Sequence, residues 1–334
     1  MTNDTSIPDS QPLYRAAQVR ELDRTAIEAV GIPGYTLMTR AGERCWACVC
    51  DNWPAARAIA VVCGTGNNGG DGFVIARLAL AAGWQVSALQ TGAADRVRGD
   101  ALLAREAFVA AGGEVAAFTP AALDAADVIV DALLGTGLGG PPEGEWRTAI
   151  EAINQAPAPV LAVDIPSGLQ ADTGAVDGAA VRAARTVTFI GRKPGLYTGA
   201  GPDYAGTVRF ADLDVPGEVY QRVMPMARLQ LRSPQGVLDR PRARTAHKGQ
   251  HGHVLIIGGD QGMAGAVRLA GEAALRTGAG LVSLATRPEH AAILAAACPE
   301  LMSHGVTCGP DLQPLLRRAT VVVIGPGLGR SSWA

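Results

Sequence analysis

Short apolar runs alternate along most of the chain with longer stretches in which apolar residues recur every three or four positions. The short runs predict strands and the longer stretches predict helices. The predicted helices cover 13–30, 34–53, 72–82, 98–111 and 145–154. The predicted strands cover 58–64, 84–90, 127–135, 159–168, 186–191 and 206–213. This alternation is typical of a doubly wound α/β fold, in which helices cover both faces of a parallel sheet.

The pattern breaks over 214–245, where prolines and scattered arginines replace the steady period, so we predict a domain boundary near residue 230. Beyond it, strands are predicted over 252–259, 281–286 and 320–329, and helices over 265–278 and 288–297. The predicted organisation is a disordered tail over 1–12, a first domain over 13–225, a linker over 226–244 and a second domain over 245–334. Three strands are few for an independent α/β core, so we expect the second domain to be truncated.

Composition and charge exclude several classes of protein. The 334 residues carry a formal net charge of -2, which argues against the basic face of a general nucleic-acid binder. No apolar run reaches the roughly 18 residues that a membrane-spanning helix needs, and the first residues lack the features of a signal peptide. We therefore expect a cytoplasmic protein. The pair Cys45 and Cys48 lies in a predicted helix without a second C-x-x-C, so we interpret these cysteines as reduced thiols.

The stretch "VVCGTGNNGGDGFVIARLAL" places a glycine-rich turn between a predicted strand and a predicted helix. It contains the formal dinucleotide pattern Gly64-x-Gly66-x-x-Gly69. A dehydrogenase of this fold also needs an acidic residue at the end of the next strand, which here reads "SALQTG". We therefore favour a turn whose amides hold a phosphate or pyrophosphate at the start of a helix.

Two further strands end in polar loops. "DALLGTGLGG" contains Asp131 and a second glycine-rich loop, and "DIPSG" contains Asp164 and Ser167. Because the carboxyl ends of parallel strands line the ligand crevice, the three loops should converge. A tight strand–helix turn by itself explains the Gly, Asn and Asp content of any one of these loops. Three such loops at one edge of the sheet favour a binding site.

These motifs, with "GRKPGL" at 191–196, resemble the NAD(P)H-hydrate epimerase family, also called the YjeF N-terminal domain, over about 13–220. The resemblance implies a Rossmann-like three-layer αβα sandwich with a mainly parallel sheet. It also implies a substrate: NADHX or NADPHX, in which the nicotinamide ring of the cofactor is hydrated. The family interconverts the R and S epimers at the hydrated carbon.

Site residues follow from the resemblance by position. It implies that the glycine-rich turn contacts substrate through Asn67, Asn68, Gly69, Gly70 and Asp71. A second substrate loop is implied for Gly135, Thr136, Gly137, Leu138, Gly139, Gly140 and Pro141. Potassium ligands are implied for Asn68, Asp131 and Ser167. Amide, carboxylate and hydroxyl oxygens are the donors that a hard cation prefers.

Asp164 is implied at the reacting end of the substrate, and it is the only carboxylate of the "DIPSG" loop. Epimerisation requires proton transfer, so we assign Asp164 the role of general acid–base catalyst. We expect Asp164→Asn to abolish epimerisation without unfolding the domain. The alternative is a loop cap that accepts backbone amides. Only two of the 29 Lys and Arg residues are lysines, Lys193 and Lys248. Lys193 could hold a phosphate or help proton transfer, or it could be a surface lysine.

The second segment, including "HGHVLIIGG" and "VVVIGPGLG", resembles the ADP- or ATP-dependent NAD(P)H-hydrate dehydratase, which has a ribokinase-like fold. By position, Ala266 and Gly327 match substrate-contacting sites. The family's later nucleotide-binding loop and catalytic aspartate have no counterpart in these residues, so we expect no dehydratase activity from this chain alone. His251 and His253 precede an apolar strand without further ligands nearby, which favours structural roles over a metal site.

The sequence therefore favours an isomerase that repairs damaged nicotinamide cofactors, with no nucleic-acid or membrane partner. A non-catalytic binding or scaffold module of the same fold is the alternative, because the domain also occurs in an mRNA-decapping scaffold. A small-molecule kinase is disfavoured by the missing nucleotide loop. The resemblance further implies a homodimer.

Overall fold

The structure is a computed structural model that describes residues 10–137, 139–230 and 242–334. The chain divides into two compact units, Met1–Leu231 and Arg232–Ala334. In the described residues of the first unit, the strands are β1 (Ser10–Leu13), β2 (Ala58–Cys63), β3 (Gln85–Gln90), β4 (Val115–Ala117), β5 (Val128–Ala132), β6 (Val160–Val163), β7 (Arg185–Phe189), β8 (Thr207–Ala211) and β9 (Ala227–Gln230). Its α-helices are α1 (Ala16–Glu28), α2 (Gly34–Asn52), α3 (Asn67–Ala81), α4 (Gly99–Ala110), α5 (Gly144–Gln155), α6 (Gly201–Tyr204) and α7 (Gly217–Gln221).

Seven of these strands form one parallel sheet in the order β4-β3-β2-β5-β6-β7-β8. Successive side chains of β2 point to opposite faces: Ile59 and Val61 enter the core cluster that includes α2 and α3, whereas Ala60 and Val62 pack with α5. The predicted α/β sandwich is therefore confirmed. The strand order reverses between β2 and β5, and such a switch point is where doubly wound folds bind ligands.

Two boundary predictions are wrong. Residues 10–12, predicted as disordered, belong to β1, and residues 227–230, predicted as linker, form β9, which pairs with β1 antiparallel. Neither segment is long or apolar enough to show a period, and the pairing of two segments so distant in sequence exists only in the folded chain. The remaining parts of the predicted tail and linker, 1–9 and 231–241, lie outside the described residues.

The second unit is also a parallel α/β layer, with strands in the order β12-β11-β10-β13. Its elements are β10 (His253–Ile257), α8 (Ala264–Arg276), β11 (Leu281–Thr286), α9 (Pro288–Ala297), β12 (Met302–Gly305), α10 (Gly309–Leu316) and β13 (Val321–Ile324). The prediction missed β12, whose sequence "MSHG" contains no apolar run. The edge strand β13 is apolar throughout, yet all four of its residues are exposed.

Candidate active site

The glycine-rich turn is shaped mainly by the protein's own backbone. A Cβ on Gly64 would lie 1.8 Å from the carbonyl oxygen of Leu133, and a Cβ on Gly69 would lie 2.0 Å from that of Gly64. Gly66, by contrast, has open space around it. The turn that follows β2 therefore packs directly on the end of β5. A side chain at Gly64 would separate the two strand ends, and a side chain at Gly69 would push the start of the following helix away from Gly64.

This packing predicts opposite results for two substitutions in one turn. Gly64→Ala should lower the free energy of unfolding of the first unit by about 3 kcal/mol or more, because Leu133 would have to move. Gly66→Ala, the matched control, should change it by about 1 kcal/mol or less, because its φ of -97° suits alanine and the cost is limited to a weaker N-cap. Urea denaturation of both variants measures the difference, and equal stability of the two would contradict the close approach.

Helix α3 begins at Asn67, five residues before the predicted start, so the residues from Asn67 to Asp71 form its first turn. Its N-cap is Gly66, and no side chain caps the helix. The exposed end of the dipole and the uncapped amides give this turn the electrostatics of an anion site. The predicted phosphate-facing turn is thus a helix terminus rather than a loop.

The predicted potassium ligands Asn68, Asp131 and Ser167 lie in one hydrogen-bonded cluster at the end of β5. Ser167 donates to Asp131 twice, from its hydroxyl to Oδ1 at 2.6 Å and from its backbone N–H to Oδ2 at 2.8 Å. Asn68 Nδ2 donates to the carbonyl oxygen of Leu134 at 3.1 Å, and the Leu134 N–H donates to Ser167 Oγ at 2.9 Å. Burial raises the pKa of Asp131 to about 6, although the Ser167 hydrogen bonds lower it.

The chemistry of these donors fits a monovalent cation. Amide, carboxylate, hydroxyl and backbone carbonyl oxygens meet here, all of them hard ligands. Within the part of the chain that the structure describes, no three His, Cys, Asp or Glu side chains form a metal site.

Asp164 follows β6 and is paired with Lys193, whose side chain is completely buried. Lys193 Nζ donates to Asp164 Oδ1, to the hydroxyl of Thr188 at 3.1 Å and to the carbonyl oxygen of Phe189 at 3.1 Å. The backbone N–H of Phe189 also donates to Asp164 Oδ1, at 3.1 Å. A surface position for Lys193 is therefore excluded. Its three ammonium protons are used within the protein, so it orients Asp164 rather than reaching for a phosphate.

The Asp164 carboxyl opens into a pocket of about 120 Å³ at the carboxyl edge of the sheet. The lining residues are Val19, Asp23, Ile27, Gly34, Leu37, Met38, Ala41, Asn67, Asp71, Asp100, Asp164, Phe189, Ile190, Lys193 and Leu213. The structure thus brings Asn67, Asp71, Asp164 and Lys193 to one cavity. Asn68 belongs instead to the neighbouring cluster around Asp131.

Backbone strain is concentrated around this pocket. Among the described residues, the non-glycine residues with positive φ are Asp164 (67°), Ile190 (58°), Leu213 (56°) and Asp214 (55°), and the first three line the pocket. A β-branched residue such as Ile190 rarely adopts this conformation. Such strain persists where the surrounding structure fixes it, and it is commonest at functional sites.

The second predicted substrate loop lies beside the Asp131 cluster rather than in the pocket. A Cβ on Gly135 would lie 3.6 Å from Asn68 Oδ1, whereas Gly137, Gly139 and Gly140 face open space. Leu138 lies outside the described residues. This arrangement leaves room for a ligand that is longer than the pocket itself.

The sequence analysis missed Asp23, a pocket residue on α1. It occurs within the apolar pattern of that helix, next to Leu22 and four residues from Val19, and both of those side chains are buried. The signal in the sequence that could have identified Asp23 was a carboxylate that interrupts the apolar face of a helix. Burial raises the pKa of Asp23 to about 6. The charge of Lys193 lowers this pKa and the charge of Asp164 raises it, both to a smaller extent than burial.

In the second unit, the two predicted substrate residues are neighbours. A Cβ on Gly327 would lie 3.0 Å from the Cβ of Ala266, and the Asp260 N–H donates to the Gly327 carbonyl oxygen at 2.7 Å. Asp260 is nearly buried and paired with Arg287. Hydrogen bonds from Ser331 and Arg287 hold the pKa of Asp260 at about 2. The sequence analysis did not single out Asp260 or Arg287.

Of the two histidines at the start of β10, His253 has a side-chain partner, whereas Nε2 of His251 is buried and has no hydrogen-bond partner among the described residues. His253 Nε2 lies 2.8 Å from Ser283 Oγ.

Among the described residues, no helix combines the length and apolar character needed to cross a bilayer.

Two family models match the chain. Residues 34–195 match the YjeF-related protein N-terminus, and residues 254–334 match NAD(P)H-hydrate dehydratase. The yeast protein ynu0, known from a crystal structure, is 20% identical with a TM-score of 0.57 over 66% of this chain and 99% of its own. This likeness supports the doubly wound α/β fold of the first unit.

Several relatives carry the name bifunctional NAD(P)H-hydrate repair enzyme Nnr. The Coxiella burnetii protein is 49% identical over 96% of this chain, and the Escherichia coli protein is 46% identical over 99%. The Vibrio cholerae protein is 36% identical over 99% of this chain and 67% of its own length. The chain therefore belongs to the family of bifunctional NAD(P)H-hydrate repair enzymes. It spans 66% and 64% of the length of the first two relatives.

Proposed function

We propose that the first unit epimerises NAD(P)H-hydrate, interconverting the R and S forms of NADHX and NADPHX. The observation that carries this proposal is the Asp164 carboxyl, which Lys193 orients at the wall of a pocket shared with Asn67 and Asp71. An oriented carboxyl in a semi-enclosed cavity is the arrangement that general acid–base catalysis needs. Membership of the repair-enzyme family supplies the substrate class.

The shape and charge of the pocket indicate how the substrate binds. A pocket of about 120 Å³ is much smaller than the roughly 300–1,000 Å³ that encloses a drug-sized ligand, so it suits one ring rather than a dinucleotide. A carboxylate in its wall, such as Asp164, would repel a pyrophosphate. The hydrated ring therefore occupies the pocket, and the phosphates lie outside it, towards the α3 terminus and the loop over 135–141.

Asn68, Asp131 and Ser167 are the residues that would hold potassium. A bound cation supplies positive charge beside the two loops that face an anionic substrate. These residues would hold the charge at the switch point between β2 and β5. Ser167 fixes the Asp131 carboxylate, and Asn68 donates a hydrogen bond to the loop after β5. The cation site therefore supports binding and loop order, and Asp164 moves the proton.

Replacing Ser167 with alanine should uncouple the activity from potassium. The variant loses a hydroxyl ligand and leaves Asp131 Oδ1 and the Leu134 N–H without that partner, so its free energy of unfolding should also fall by about 1–3 kcal/mol. Epimerase rates measured across a potassium chloride series at constant ionic strength test this. The control is Ser87→Ala, at an exposed β3 position. An unchanged potassium response in Ser167→Ala would contradict the ligand assignment.

The proposed activity has a direct test. Purified protein is given pure R-NADHX or R-NADPHX, and chiral separation follows the appearance of the S form with and without potassium. We expect conversion well above the uncatalysed background. No acceleration under any of these conditions would overturn the proposal and favour the non-catalytic scaffold module.

We also propose that a polypeptide of these 334 residues lacks the dehydratase activity. The family's nucleotide-binding loop and catalytic aspartate have no counterpart in these residues, and the edge strand β13 presents its apolar residues uncovered. S-NADHX with ADP or ATP should give no NADH absorbance in a spectrophotometric assay. A nucleotide-dependent rise in absorbance would refute this proposal and leave the epimerase proposal intact.

A further inference from the structure

Asp23 is a carboxyl group that the fold does not use. It lies on the face of α1 that carries the buried residues Val19, Leu22 and Ala26, and it is itself half-buried. Among the described residues, its carboxyl makes no hydrogen bond and no ion pair. A carboxyl on an apolar helix face costs stability when nothing pairs with it. Its retention in the wall of the pocket points to a role in the reaction.

The groups that face Asp23 come from four other parts of the first unit. Asp71 projects from α3 and Asp100 from α4, while Asp164 and Lys193 follow β6 and β7. Asp71 is more than nine-tenths buried, and its carboxyl has no hydrogen-bond partner in the part of the chain that the structure describes. Two unpartnered carboxyls thus share the pocket with the Asp164–Lys193 pair.

The carboxyl groups of the pocket have different surroundings. Burial raises the pKa of Asp23 to about 6, and burial with the charges of Asp164 and Asp23 raises the pKa of Asp71 well above its ordinary range. Asp164 differs in its contacts, because it is the ion-pair partner of a buried ammonium. Carboxyl groups in such different surroundings are suited to separate acid and base roles.

The chemistry of the substrate calls for two such groups if the proposed function is correct. Water adds to a dihydronicotinamide at the carbon bonded to the ring nitrogen, because protonation of the enamine makes that carbon electrophilic. Loss of the hydroxyl as water therefore regenerates a cation shared between that carbon and the nitrogen. Carboxylates in the wall of the pocket stabilise such a cation. Inversion then requires water to return to the opposite face of the ring.

We propose that Asp23 is a second acid–base group of the epimerisation, and that the reaction exchanges the substrate hydroxyl with solvent. Asp23 gives a proton to the hydroxyl, the carbon–oxygen bond breaks, and water departs. A second water attacks the other face of the cation and gives a proton to Asp164, on a different wall. One proton is donated and one is accepted, no electron is transferred, and the reverse reaction exchanges the two roles.

The test follows the oxygen atom. The R epimer with ordinary oxygen is converted by the whole protein in water enriched in a heavy oxygen isotope, and mass spectrometry analyses the S epimer after less than one turnover. Uncatalysed conversion is measured in parallel and subtracted. We expect the heavy isotope in the S product. An S product that keeps its original oxygen indicates ring opening at the carbon–nitrogen bond and overturns this inference, whereas no conversion at all overturns the proposed function instead.

Variants test the residue itself. Asp23→Asn should lower kcat by about 10²–10³-fold with KM changed less than about threefold, and Asp23→Glu should recover part of the rate. The exposed Glu28→Gln on the same helix is the matched control and should behave as wild type. The fall in kcat/KM as pH rises above about 6, where a carboxyl donor loses its proton, should be absent from Asp23→Asn. A folded Asp23→Asn variant with normal turnover and an unchanged pH profile would overturn the role of Asp23.

Discussion

Asp164→Asn should lower kcat for epimerisation by about 10²–10⁴-fold, the usual contribution of a positioned acid–base group. The amide keeps the shape of the side chain and the geometry after β6, but it cannot exchange a proton at the substrate hydroxyl. KM should change little, because the phosphates bind outside the pocket. The control is Asp124→Asn at an exposed position of the same unit.

The same substitution also has a structural cost that the sequence did not indicate. Asparagine leaves the buried Lys193 ammonium without its counter-charge, and breaking a buried pair from one side costs about 3–5 kcal/mol. Kinetics should therefore be measured well below the melting temperature, with circular dichroism confirming the fold. A folded Asp164→Asn variant with wild-type turnover would remove Asp164 from the reaction.

Lys193→Met should destabilise the first unit about as strongly as Asp164→Asn. It leaves the Asp164 carboxylate, the Thr188 hydroxyl and the Phe189 carbonyl oxygen without their shared donor. We expect a loss of about 3–5 kcal/mol in the free energy of unfolding, together with loss of activity because Asp164 is no longer oriented. The other lysine of the chain, the exposed Lys248, supplies the control substitution Lys248→Met.

A double-mutant cycle separates charge from packing. In Asp164→Asn with Lys193→Met neither charge remains, so the double variant should be more stable than the sum of the single losses predicts. It should remain inactive. Urea denaturation of the four proteins gives the coupling free energy, and a value near zero would show that the pair contributes little to holding the site.

The strands that line the site could be predicted because they are buried on both faces. β2 ("AIAVVC") and β5 ("VIVDA") are short apolar runs followed at once by polar loops, and parallel pairing places those loops at one edge. The convergence of Asn68, Asp131 and Ser167 was foreseeable for that reason. The strands β4 and β12 were missed because edge strands are partly exposed and need no apolar run.

The sequence by itself determined the α/β layers, the polar edge of the sheet and the residue types available there, because local periodicity and strand direction follow from neighbouring residues. Only the tertiary structure decided that Lys193 is buried against Asp164, that Asp23 on α1 enters the same pocket, and that β1 pairs with β9. These contacts join residues far apart in sequence. Their burial and charge arise when separate elements pack together, and no local pattern encodes them.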